Sequence, residues 1–283
     1  ADYLRQFTRG VFEKIGCPKD DAITIADILV AAEERGISSH GMIRIRDYYQ
    51  MWEKGRIKTN PAISILRETP STAVVDGDGG FGMVVGKRSM EIAIEKAHKA
   101  GTGWVSTQNS NHYGIAGYYS MMALQHDMIG ISMTNANSLV ARTFSKSRML
   151  GTNPIAVAIP ASQHPPFVAD FATTPIARGK LAIKGKKGEK IEEGFVQDAE
   201  GHPSTDPDII KQGGAILPLG GDRLHGSHKG YCLSSIVDIF SAVFSGANFG
   251  PFVPPQVAYL DPPKTQTGKG LGHFFGAMRI DAR

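Results

Sequence analysis

The chain has 283 residues, 41% of them apolar and 20% charged, with 33 glycines and a formal charge of +4. This is the composition of a folded soluble protein, with no internal repeat or low-complexity tract, and it argues against a helical bundle. Lysines and arginines are scattered with no run of four, so nucleic acid is not an expected partner, while the positive excess mildly favours small anionic ligands.

Two cysteines, Cys17 and Cys232, lie in helical patterns. They read as buried thiols of a protein in the reducing cytoplasm, and no metal-ligand cluster is found. No apolar run reaches the roughly 20 residues that span a membrane. A first helix is predicted over residues 1–15. A second follows in "PKDDAITIADILVAAEERG", started by Pro18 and its acidic pair and stopped by Gly36. A third is predicted from about Gly41 to Lys54, capped by Ser38 or Ser39. Strands are expected within 63–76 and a fourth helix over 83–100. Strand and helix then alternate: "GWVSTQNS", "GIAGYYSMMALQHD", "MIGISMTN", "NPIAVAIPA", "PFVADFAT". Residues 178–215 read as polar turns and short strands, "GYCLSSIVDIFSAVFSGA" as a buried apolar helix, and "GHFFGAMRI" as a last strand. The alternation implies an α/β fold, and the all-helical first 60 or so residues a separate subdomain.

The stretch "VVDGDGGFGMVVG" places Gly77, Gly79 and Gly82 in the spacing of a dinucleotide loop. Its context does not fit. The next strand ends in Gln108 and Asn109 where an acidic residue should hold the ribose, and Asp76 and Asp78 would repel a pyrophosphate. A glycine-rich turn is the better reading.

Chemistry concentrates elsewhere. In "SSHGMIRIRDYY", a cap at Ser38 or Ser39 would put His40 in the first turn of a helix, with Arg44 and Tyr48 on the same face. The positive end of the helix would keep His40 neutral and able to shuttle protons. Arg44 could grip a carboxylate. In "NSNHYGIAGYY", His112 lies between a strand and a helix, where α/β folds bind ligands. Thr134, Asn135 and Thr152 end or flank strands. In "DFATTP", Asp170 could hold ribose hydroxyls, and Thr173 and Thr174 phosphate. Lys229 precedes the most apolar helix, at a helix start suited to an anion.

In this order, "SSHGMIRIRDYY", "VDGDGGFGMVVG", "NSNHYGIAGYY", "LGTNPIAVAIP", "DFATTPIARGK" and "HKGY" together resemble the malate/L-lactate dehydrogenase family of NAD(P)-dependent oxidoreductases. The resemblance runs from about residue 2 to 280. It implies a non-Rossmann mixed sheet with flanking helices and a glycine loop that is structural. It implies NAD or NADP as cofactor, a small 2-oxo or 2-hydroxy acid as substrate, and a cytoplasmic homodimer. It makes His40 a proton donor and His112 an acid/base candidate, with Arg44, Tyr48 and Thr152 at the substrate. Ser39, Thr134, Asn135, Asp170, Ala172, Thr173, Thr174, His228 and Lys229 would face the cofactor. The expected division is a helical part, 1–62, carrying the "SHG" motif, an NAD(P)-binding part, 63–248, and a segment, 249–283, returning to the core. A cyclic imino-acid reductase of the same family and an inactive dinucleotide-binding homologue are the alternatives.

Two features depart from the family pattern. "VARTFSKSRM" carries Arg142, Lys146 and Arg148 where a glycine-containing segment is usual, and members generally continue past the equivalent of Arg283.

Overall fold

The computed structural model describes residues 1–281. Helices α1 (Asp2–Lys14), α2 (Lys19–Glu34) and α3 (Ile45–Glu53) come first, followed by strands β1 (Ser64–Glu68) and β2 (Thr72–Asp76). Helix α4 (Gly82–Ala100), ended by Gly101 in the left-handed conformation, leads into β3 (Thr102–Ser110) and α5 (Ala116–Met122). Strands β4 (Met128–Thr134), β5 (Val140–Ala141), β6 (Arg148–Leu150), β7 (Ile155–Ile159) and β8 (Phe167–Phe171) follow. The rest comprises α6 (Arg178–Lys187), β9 (Val196–Gln197), β10 (Pro203–Ser204), β11 (Ala215–Ile216), α7 (Ser227–Asp238) and β12 (Leu271–Arg279).

The main sheet has seven strands in the order β1-β2-β3-β12-β4-β7-β8. Only β2 and β3 run parallel, and every other neighbouring pair is antiparallel. The last strand, β12, is inserted between β3 and β4, so the end of the described chain sits at the centre of the sheet. A dinucleotide-binding sheet of the doubly wound type would be mostly parallel; this mixed sheet is not of that type.

Helix α4 packs on β3 and β12, α2 packs on α4, and α1 on α2. Phe12, Ile25, Ile28, Leu29, Met90, Val105, Tyr119 and Phe275 belong to one buried cluster. A second cluster, which includes Leu139, Val140, Leu181, Val196 and Ile216, is built on a small sheet of order β10-β9-β11-β5-β6.

Several expectations are corrected. The helix expected from Gly41 begins only at Ile45; before it come two single 3-10 turns, Ser38–His40 and Met42–Arg44, separated at Gly41. Within 178–215, α6 is a regular helix. It buries only Leu181, so its sequence has no apolar stripe to read. The apolar helix near the C-terminus is α7 followed by a π turn over Ile239–Val243. It is not fully buried, since Ile236, Ile239, Val243 and Phe244 are exposed and so is Cys232. Arg148 ties β6 to the carbonyl oxygens of Ile210 and Gly214. Among the described residues, no helix is long and apolar enough to cross a membrane.

Candidate active site

The glycine loop is consumed by structure. The amides of Gly77 and Gly79 donate to the carbonyl oxygens of Gln108 (2.9 Å) and Asn109 (2.7 Å), and that of Gly80 to Gly77 (2.9 Å). The Asp76 carboxylate accepts from the Asp78 amide (2.8 Å) and the Asn109 side chain (2.8 Å). The Asn111 amide group donates to the carbonyl oxygens of Gly79 and Gly80. A pyrophosphate would need those N–H groups free. The loop instead splints the end of β3, the segment that delivers His112. Gly82 shows how tight the fit is: a Cβ there would lie 2.0 Å from the Asn111 carbonyl oxygen.

His112 meets the "SHG" segment at this edge. The rings of His40 and His112 stack with centroids 5.5 Å apart and planes 23° apart. The Tyr48 hydroxyl lies 2.6 Å from His112 Nδ1, and the Gly114 amide points at the same nitrogen from 3.3 Å. Burial pushes the Tyr48 phenol well above its usual range, so it keeps its proton and donates it. With two donors facing Nδ1, that nitrogen is the acceptor and the neutral ring carries its proton on Nε2. The Ser39 hydroxyl lies 2.9 Å from His40 Nδ1.

Arg44 supplies the charge. One of its nitrogens donates to Asp47 at 2.7 Å, while its Nε is buried with no partner. A buried N–H without an acceptor is costly unless a ligand completes it. Both histidines feel this cation. Burial first, and Arg44 second, lower His40 from 6.5 to about 4. The same two causes, with His40 and His273 next, hold His112 well below the ordinary histidine value. The helix start expected to lower the proton affinity of His40 is absent. His40 ends a 3-10 turn and opens no helix, and the serines make no side-chain cap. Burial and Arg44 do what the helix dipole was expected to do.

The structure gathers Ser39, His40, Arg44, Tyr48 and His112. Tyr48, expected at the substrate, is 3% exposed, and its hydroxyl bonds to His112. The other expected residues lie apart. Thr134 bonds to His273 Nδ1 (2.7 Å) and to the Gly272 carbonyl oxygen, and Asn135 to Asp238, Asn248 and Gly272. The Thr173 hydroxyl donates to the carbonyl oxygens of Thr152 and Asn153, and that of Thr174 to Ile176. These side chains form an interior lattice at the strand ends. Asp170 accepts the Gly117 amide at 2.8 Å near the start of α5, and Ala172 is half-buried. His228 and Lys229 are exposed in the first turn of α7, which has no acidic residue and no side-chain cap. The Ser227 and Lys229 amides donate to the carbonyl oxygens of Asp222 (3.1 Å) and Gly226 (2.9 Å), so what this turn offers an anion is the exposed His228 and Lys229 side chains.

Neutral buried histidines carry a consequence for stability. His273, 0% exposed between Thr134 and Ser110, is lowered to about 3 by burial. Below the ordinary value of 6.5 the unfolded chain takes up protons that native His40, His112 and His273 refuse. Stability is thus full above about pH 6.5 and is lost as pH falls toward 4 and then 3, by up to about 4 kcal/mol per pH unit while all three contribute. Denaturant midpoints are expected to be flat from about pH 8 to 7 and to fall steeply by about pH 5. Equal midpoints at those pH values would contradict this account.

Comparisons with known proteins place the chain in a family. The family model described as malate/L-lactate dehydrogenase matches residues 1–283. The malate dehydrogenase of Pyrococcus abyssi is 45% identical over 281 residues, covering 99% of this chain and 75% of the relative. The L-sulfolactate dehydrogenase of Methanocaldococcus jannaschii is 45% identical over 240 residues, 85% of this chain and 67% of the relative. The crystal structure of malate dehydrogenase from Entamoeba histolytica superposes with a TM-score of 0.90 at 39% identity, covering 99% of this chain and 78% of that one. With its sequence matched from end to end and its mixed sheet shared, the chain belongs to the malate/L-lactate dehydrogenase family of hydroxyacid dehydrogenases.

Proposed function

We propose that the protein moves a hydride between NAD(P) and C2 of a small 2-oxo or 2-hydroxy acid of the malate, lactate or sulfolactate type. One observation carries the reading: two stacked neutral histidines stand beside an arginine whose buried Nε has no partner. A bound nicotinamide would supply or take the hydride. His228 and Lys229 would hold its phosphates, and Asp170 is the candidate for a ribose hydroxyl.

The chain's own groups do the rest. Arg44 binds the substrate carboxylate through its free edge and so orients the carbonyl. His112, with Nδ1 occupied by Tyr48, offers Nε2–H to the carbonyl oxygen and polarises it. His40, once it has taken up a proton from solvent with substrate bound, gives it to the developing alkoxide, and in the reverse direction the neutral ring takes it from the hydroxyl. The substrate's own charge assists. A carboxylate on Arg44 offsets the cation that depresses His40, and so raises the affinity of His40 for a proton when substrate is bound. A homodimeric assembly and a cytoplasmic location rest on the family resemblance.

The test follows nicotinamide absorbance with NADH and NADPH separately against oxaloacetate, pyruvate, sulfopyruvate and piperideine-2-carboxylate. Oxidation with an oxo acid is the expected result. Oxidation with the cyclic imine alone would replace this reading by imino-acid reduction. Cofactor binding without turnover on any compound would make the chain an inactive homologue.

A further inference from the structure

Glu33 sits in the last turn of α2, where a negative charge opposes the helix dipole and where the helix has no basic residue. Its neighbour Glu34 is paired with Arg5 at 3.0 Å. Glu33 is engaged differently. Its Oε1 accepts the Met42 amide at 2.8 Å and its Oε2 accepts the Ser38 hydroxyl at 2.8 Å. The carboxylate therefore lies directly beneath Gly41, where a Cβ would come within 2.2 Å of Oε1. Gly41 is the break between the two 3-10 turns, one ending at His40 and the other at Arg44.

The same helix supports the opposite side of the site. Ile28 is fully buried in the main core and lies under Gly114, whose missing Cβ would be 2.8 Å from Ile28 Cγ2. The Gly114 amide in turn faces His112 Nδ1. One core-anchored helix thus contacts the "SHG" turn through Glu33 and the His112 turn through Ile28. A short 3-10 turn has poor hydrogen-bond geometry of its own, so the spacing of the two rings depends on an external brace.

We propose that Glu33 is a positioning residue: through Met42 and Ser38 it sets His40 and Arg44 against His112. This rests on the functional reading above. Glutamine keeps both contacts, its oxygen accepting from Met42 and its NH2 donating to Ser38, whereas alanine removes both.

The experiment compares Glu33→Ala, Glu33→Gln and Ser38→Ala in the full chain, reading kcat and KM separately, cofactor affinity by fluorescence, and the His40 ring titration by NMR. Glu33→Ala is expected to lower kcat/KM by about 10- to 100-fold with cofactor affinity unchanged. Its His40 titration should move up from about 4 as the ring loosens into water. Glu33→Gln should stay within about three-fold of the parent, and Ser38→Ala should fall between the two. Glu33→Gln as damaging as Glu33→Ala, or a folded Glu33→Ala with parental kinetics and titration, overturns the proposal. If Glu33→Ala does not fold, Glu33→Gln against Ser38→Ala decides it. The titration needs no turnover: a parent protein inactive on every substrate would defeat the functional reading while the NMR comparison still tested the brace.

Discussion

Alanine in place of His40 is expected to lower kcat by about 10²–10⁴-fold while the cofactor still binds. The size follows from the role. Proton transfer to a developing alkoxide needs a positioned donor, and His40 Nδ1 faces only the Ser39 hydroxyl, which can accept as well as donate. The imidazolium that an acid must pass through can therefore form on His40 without meeting a backbone N–H. His112 is tied by Tyr48 and Gly114 to one neutral form. Alanine at His112 should also reduce kcat, through lost carbonyl polarisation, but should leave the acid-side limb of the pH–rate profile in place. Alanine at His40 should remove that limb. If kcat of the His40 variant equals the parent's, His40 has no part in the chemistry. If it is the His112 variant that loses the limb, the two roles are reversed.

Leucine in place of Arg44 is expected to lower kcat/KM by about 10²–10³-fold, mostly through KM, because a charge-assisted contact to a carboxylate in a buried setting is worth roughly 2–5 kcal/mol when truncated. A second effect has the opposite sign. Arg44 is the second cause, after burial, of the low proton affinity of both histidines. Without it the free-enzyme titration of His40 should move up from about 4 toward 6.5. Kinetics with oxo acids and a histidine titration of the same variant read both effects. An unchanged KM would take the substrate off Arg44, and an unmoved titration would place the depression on burial alone.

The free edge of Arg44 also accounts for its pairing with Asp47. One bond of 2.7 Å to Asp47 orients the guanidinium while its Nε stays unpartnered. Replacing Asp47 would loosen that orientation, so the two effects just described are best measured with Asp47 intact.

Much of this was legible in the chain itself. The alternation of apolar strands and helices from "GWVSTQNS" onward settles the α/β class, because each element must bury one face at its own period. The glycine loop could be set aside from its own acids, Asp76 and Asp78, and from the Gln108-Asn109 strand end, and the structure shows Asp76 joined to Gln108 and Asn109 of β3 while the Asp78 carboxylate holds Lys58 and the Ala62 amide. His40, Arg44, Tyr48 and His112 stood out by residue type and order. Their roles depended on contacts across long stretches of chain. Tyr48 and His112 are 64 residues apart and meet at 2.6 Å, a contact that no local pattern announces. Glu33 carries no local signal, since an acid near a helix end is ordinary until the chain folds back over it. Gly41 looked like the start of a helix and is a break, because the carboxylate beneath it and the bond to Met42 favour two short turns. Thr134, Asn135, Thr173 and Thr174 looked like ligand groups, and tertiary packing gave each an internal partner. Local sequence determined which elements form and which side chains can do chemistry, since periodicity and residue type are local properties. Only the tertiary structure decided which polar groups remain unsatisfied, because hydrogen-bond partners and burial are set by residues distant in the chain. At Arg44 Nε, buried and unpartnered, that difference is what supports the proposed substrate contact.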